Sequence, residues 1–169
     1  MIYGYNCNGI LLKDTRVGST TTLNQKKNLI IEDNVFIGHY NFIEASNGIK
    51  IEEGCQITNF ISIISHSSHN SIRYYGKKYR AHKDLIGYVK GEVKVGKYTF
   101  VGPHTTILPN TKIGKGCLIS SYSLVKGEYP DFSIIAGNPA KVIGNTKDKD
   151  LKVLKNYPEL MQYYNQWAK

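Results

Sequence analysis

From Val95 onward an aliphatic residue returns at every sixth position: Val95, Val101, Ile107, Ile113, Ile119 and Val125. Upstream the same step gives Ile31, Ile37, Ile43 and Ile49, then, after a slip of two residues, Ile51, Ile57 and Ile63. A helical period of 3.6 does not produce this spacing, and neither does strict alternation. Short strands joined by tight turns do, if each turn returns an aliphatic side chain to one interior and three hexads close a triangular coil. The fifth place of the hexad is restricted to small or medium side chains, as at Val35, Asn41, Cys55, Thr99, Thr105, Thr111, Cys117 and Ser123. The second place often carries glycine or an acid, as at Gly38, Glu52, Gly102 and Gly114.

This is the hexapeptide pattern of left-handed parallel β-helices, whose stacked coils pair backbone groups along the axis and line the core with aliphatic ladders. The expected fold class is all-β, with four to five coils preceded by an imperfect one from Val17 and Leu23. A chain of 169 residues is one domain's worth of core. We place the β-helix at 1–146, with a loop insertion at about 65–92 and a C-terminal helical extension at 147–169. In that extension Leu151, Leu154, Leu160, Tyr164 and Trp167 take helical spacing, and Pro158 can start a second helix.

The insertion opens within FISIISHSSHNS, residues 60 to 71, where an aliphatic run gives way to His66 and His69 among serines and an asparagine. A coil that must stack gains nothing from a long polar excursion, so its composition points to function. It holds His66, His69 and His82, four tyrosines, Arg73 and Arg80.

Net charge is +9, which suits nucleic acid, an anionic membrane face or a phosphorylated small ligand. The lysines are spread along the chain, and the one dense run, KDKDLKVLK, interleaves acids, so nucleic acid is disfavoured. No apolar run reaches the roughly 20 residues that cross a bilayer, and the N-terminus lacks the pattern of a secretory signal, so a cytoplasmic protein without a transmembrane segment is expected. Cys7, Cys55 and Cys117 form no CxxC pair and read as reduced core residues.

The hexads, the histidine that opens the loop and the ending SIIAGNPAKVIG at residues 133 to 144 together resemble the hexapeptide-repeat acyltransferases. The likeness runs from about Ile31 to Gly144 and is nearest to the xenobiotic and galactoside acetyltransferases and to sugar O-acetyltransferases of surface-polysaccharide clusters. It implies a homotrimer with active sites between subunits and acetyl-CoA as acyl donor, with no metal required. It also implies a catalytic base at His66, or at His69 if the strand register differs. Imidazole suits that work, since its ordinary pKa of about 6.5 lets it accept a proton near neutral pH. The aspartate or proline neighbours usual in the family are replaced here by serines. Asn41, Tyr74 and Tyr75 are candidates for holding a sugar acceptor, Asn41 equally being an inward-facing structural residue.

On the donor side the resemblance assigns Gly102, Pro103, Ser120 and Ser121 to the pantetheine groove, and Lys126 and Lys141 to the nucleotide phosphates. Lys141 stands where arginine is more frequent, keeping the charge and losing bidentate geometry. Each glycine is equally explained by a turn, and each lysine by solvation. The expected activity is acetyl transfer to a sugar hydroxyl of a surface glycan or its precursor. Three alternatives stay open: N-acetylation of an amino-sugar nucleotide, a γ-type carbonic anhydrase with zinc on three histidines, and a catalytically empty scaffold. For the zinc alternative the expected HxxxxH spacing is missing.

Overall fold

The computed structural model describes residues 1–169. Its centre is a prism of stacked coils whose strands form three faces, and the in-register pairing is parallel throughout. On the first face Val17, Ile37, Ile57, Val101, Ile119 and Ile135 form one inward ladder. On the second, Leu23, Ile43, Ile63, Ile107 and Val125 do the same. On the third the ladder is Ile31, Ile51, Val95, Ile113 and Tyr129. The aliphatic members from Ile37 to Ile119 are almost wholly buried, and each contributes about 1.5–3 kcal/mol by leaving water.

The two-residue slip in the hexads has a geometric cause. Strands of the third face are three residues long and turn both ends inward, as at Leu29 with Ile31, Ile49 with Ile51 and Val93 with Val95. Phase is therefore carried forward from the second inward residue, and the preceding corner, residues 44–48, is enlarged. Polar residues at the buried fifth place are satisfied at the corners they occupy. Thr105 Oγ1 donates to Gly102 O at 2.7 Å, Thr111 Oγ1 to Leu108 O at 2.7 Å and Ser123 Oγ to Ser120 O at 2.6 Å.

The corner between the first and second faces carries an exposed column of rings. Tyr40, Phe60, His104 and Tyr122 all adopt φ near +60°. Their centroids are 5.1, 4.9 and 4.8 Å apart, with ring planes within 10° of parallel. The left-handed backbone costs each of these residues about 1–2 kcal/mol, and stacking returns about 0.5–1.5 kcal/mol per pair.

Both ends depart from the hexad. Residues Ile2–Cys7 and Ile10–Val17 form an antiparallel hairpin that the periodicity did not predict, because the repeat begins only where Arg16 and Val17 pair with Phe36 and Ile37. The strand assigned at Val17 is thus the last turn of a hairpin and the first of the prism. At the other end Ser133–Gly137 pairs antiparallel with Ala140–Asn145. Helices Thr146–Leu154 and Met161–Trp167 follow, with a 3-10 turn at Pro158–Leu160 between them. Asn145 caps the first helix by accepting from Asp148 N at 3.2 Å. Trp167 stacks on Tyr98 at 4.7 Å and tilts against Phe132, so the tail is fastened to the corner between the third and first faces. No helix is long and apolar enough to cross a membrane.

The excursion leaves the prism at Ser65 and returns at Gly91, where Gly91 N donates to Ser65 O at 3.0 Å. Its stem is an antiparallel pair, His66–Ser67 with Val89–Lys90. A helix at Ser71–Tyr75 and a 3-10 helix at Gly76–Ala81 fill the rest. Beyond it Val93–Val95 rejoins the third face in register with Ile49–Ile51, so stacking resumes unshifted.

Candidate active site

Parallel pairing of Phe42–Glu44 with Ser62–Ile64 places Glu44 beside Ile64, two residues before His66. An acid at the end of one coil thus meets the histidine that ends the straight run of the next. His66 Nδ1 lies 2.6 Å from Glu44 Oε2, and Ser65 Oγ donates to the same oxygen at 3.1 Å. Ser46 supplies its backbone N–H to Glu44 Oε1 at 2.9 Å, and its hydroxyl to that oxygen as well. Ser65 Oγ in turn accepts from Asn47 N at 2.9 Å.

Burial pushes the Glu44 carboxyl up, but the hydrogen bonds from Ser46 and His66 together outweigh it and hold the pKa below the ordinary carboxylate value. The group is ionised at neutral pH although only 8% of its side chain is exposed. A carboxylate acceptor on Nδ1 selects the tautomer protonated there, which leaves Nε2 free to accept a proton. The imidazole is 33% exposed, so a ligand can reach it. Tyr88 stacks on the ring with centroids 5.5 Å apart and planes 15° from parallel.

Of the sequence candidates in the loop, His66 and His69 are separated by their partners. His69 is exposed and its Nδ1 meets only Ser67 Oγ, at 2.8 Å. Tyr75 ties the loop to itself, accepting from Ile86 N at 3.0 Å with its ring tilted against His82. Tyr74 is exposed and covers Gly87. Asn41 does not join the group: it is 2% exposed, its Nδ2 donates to Thr58 O at 2.7 Å and its Oδ1 accepts from Ile61 N at 2.8 Å. The tyrosine on His66 is instead Tyr88, which with Tyr79 lines a cavity of about 580 Å³ together with Ser46, Asn47, Lys83 and Lys90.

Sequence reasoning missed Glu44. The signal was present in the spacing, since alignment of Ile43 with Ile63 puts the acid of HYNFIEAS under the start of the loop. Cys55 and Cys117 do not compete as nucleophiles, because burial pushes the former up to about 12 and the latter up to about 11. The five histidines are dispersed, with His39 on Thr20, His104 in the ring column and His82 on Tyr75. No three His, Cys, Asp or Glu side chains converge where they could hold a metal ion.

The donor-side candidates fall in two groups on different edges of the prism. Gly102 and Pro103 occupy the corner of the ring column, with Ser120 and Ser121 on the next coil at the same corner. A Cβ on Gly102 would lie 2.7 Å from Ser121 N and 2.8 Å from Ile119 O, so close stacking of coils alone requires glycine there. Lys126 lies at the same corner as the excursion, two coils further along. Tyr129 Oη lies 3.2 Å from both Lys126 O and Ala140 O, which brings the chain at Lys126 beside that at Lys141. Both lysines are exposed and neither forms an ion pair. One chain therefore gathers His66 and the two lysines along one edge and leaves the Gly102 group across the width of the second face.

Residues 92–127 match the family model described as bacterial transferase hexapeptide, six repeats. Over 91 residues the chain is 38% identical to the putative acetyltransferase YvoF of Bacillus subtilis, covering 53% of this chain and 52% of that protein. Over 117 residues it is 28% identical to the putative lipopolysaccharide biosynthesis O-acetyl transferase WbbJ of Escherichia coli, covering 68% and 59%. The chain thus spans a little over half the length of these two relatives. A maltose O-acetyltransferase from Clostridium difficile superposes with a TM-score of 0.66 over 78% of this chain and 66% of that one; at 20% identity this is a likeness of fold.

Proposed function

From the match of residues 92–127 to the hexapeptide transferase model and the likeness to acetyltransferases on either side of it, we propose that the chain is a hexapeptide-repeat acetyltransferase that moves an acetyl group from acetyl-CoA to a hydroxyl of a sugar in a surface glycan or its precursor. The observation that carries the proposal is the His66–Glu44 pair at the mouth of the excursion. It is a base with one nitrogen held by an ionised carboxylate and the other open to a ligand, in the arrangement general-base catalysis needs.

Acetyl-CoA, when bound, supplies the thioester carbonyl. His66 Nε2 takes the proton of the acceptor hydroxyl, so that its oxygen attacks as an alkoxide-like nucleophile, and gives the proton to the departing sulfur. Glu44 stays ionised and stabilises the imidazolium formed in between, holding the ring so that Nε2 faces the acceptor. Lys126 and Lys141 are the cations placed to meet the nucleotide phosphates, as charge-assisted partners.

The split between the Gly102 group and the His66 edge supports a homotrimer in which the donor groove lies between two copies, one giving the base and the next giving the small-residue corner. A left-handed coil and a β-helix unit at 1–146 with a helical extension at 147–169 belong to the same reading. N-acetylation differs only in the acceptor nucleophile, and no contact in the chain favours it.

The test is titration of the purified chain with acetyl-CoA, followed by thiol release in the presence of a panel of sugars. Saturable binding near one site per chain and acceptor-dependent release support the proposal. Absence of binding overturns it.

A further inference from the structure

Resting on the acetyltransferase reading, we propose that the acceptor carries a negative charge, a carboxylate or a phosphate, and that Lys90 with Lys83 reads that charge in the cavity beside His66.

The cavity and the catalytic pair share walls. Ser46, which hydrogen-bonds the Glu44 carboxylate, and Tyr88, which stacks on His66, both line it. His66 itself is not in the cavity wall, so an acceptor whose body lies in the cavity would extend past Tyr88 to bring a hydroxyl to Nε2. The cavity's volume of about 580 Å³ lies within the range of small-ligand sites.

Lys90 is positioned by backbone pairing. In the antiparallel stem it stands directly opposite His66, and residues so paired direct their side chains to the same face. Tyr88, two residues earlier, is on that face too, which agrees with its ring lying on the imidazole. Lys90 and the base are thus aimed at one space by the same two strands.

The charge of the excursion is one-sided. Residues 65–91 carry Arg73, Lys77, Lys78, Arg80, Lys83 and Lys90 against a single acid, Asp84. None of the six cations makes an ion pair within the chain. On the third face, by contrast, Lys50, Lys94 and Lys112 are each matched to a glutamate within 3.2 Å. The cavity also contains Asp84, and its wall residue Ser46 hydrogen-bonds the Glu44 carboxylate behind it. A neutral sugar would leave both lysines without a partner, whereas an acidic one would complete two charge-assisted contacts beside the base.

The experiment compares acetyl transfer to methyl galacturonide and to its methyl ester, which keep the same ring hydroxyls and differ in charge. A second pair, glucose 1-phosphate and methyl glucoside, separates phosphate from carboxylate as the preferred anion. Expected is a kcat/KM at least about 10-fold higher for an anionic member. Lys90→Ala should raise KM for that member by about 10- to 100-fold, the worth of one charge-assisted hydrogen bond, and Lys90→Arg should restore it. Both lysines are exposed, so these variants leave the prism intact.

Equal or better transfer to the uncharged members, or an anionic preference that survives Lys83→Ala combined with Lys90→Ala, overturns the acceptor proposal and leaves the acetyltransferase reading standing. Failure of the chain to bind acetyl-CoA removes both together.

Discussion

Glu44 and His66 lie 22 residues apart in sequence and 2.6 Å apart in space, joined by the pairing of two successive coils. The prism therefore does more than carry the loop: it delivers a buried carboxylate to the loop's first histidine.

His66→Ala should lower acetyl transfer by about 10²–10⁴-fold, the range a positioned general base supplies, with little change in melting temperature. His69→Ala, which removes a ring bonded only to Ser67, should leave kcat within about a factor of three of the wild type. Steady-state kinetics on the two variants decide between them, and the reverse pattern would move the base to His69.

Glu44→Gln keeps the shape of the side chain and removes its charge. The expected loss is in kcat, about 10²-fold or more, with KM for acetyl-CoA changed by less than about threefold, because the carboxylate acts through His66. An equal rise in KM would place Glu44 in ligand binding instead.

The same residue predicts a pH dependence of stability. Its carboxyl in the folded chain lies below the ordinary value of 4.5, so its contribution is fully present above that value and is lost as pH falls through it and lower. The melting temperature of the wild type should exceed that of Glu44→Gln at pH 7, and the gap should narrow progressively as pH falls below 4.5. A gap that stays constant with pH would mean that the charge of Glu44 does not stabilise the fold.

Ile57→Ala removes one rung at the middle of the first ladder, where the residue is fully buried between Ile37 and Val101. It should cost about 2–5 kcal/mol in denaturant unfolding. Gly102→Ala drives a methyl into the backbone of the next coil and should cost about 1–3 kcal/mol by overpacking. Full stability in that variant would mean that coil spacing is looser than the prism indicates.

The coils were readable because a six-residue step has one physical interpretation, and the ladders at Ile37, Ile43 and Ile51 follow it residue by residue. The hairpin at Ile2–Cys7 and Ile10–Val17 was not, since its exposed Ile2, Ile10 and Leu11 carry no six-residue phase. His66 could be singled out because it interrupts the pattern. Glu44 could not be found by motif, because its role arises only when two coils are laid side by side. Tyr88 was indistinguishable from Tyr74, Tyr75 and Tyr79 by type, and only the antiparallel stem decides which ring meets the histidine.

The bond from Gly91 N to Ser65 O closes the excursion where it leaves the prism, and the coils above and below stack as though it were absent. The prism therefore works as a standard fitting with one socket. Loops of other lengths can be exchanged there at a closure cost that grows only logarithmically, about 0.6 kcal/mol for each doubling. In such a design the excursion is a replaceable cassette while the carboxylate under the socket stays fixed to the prism.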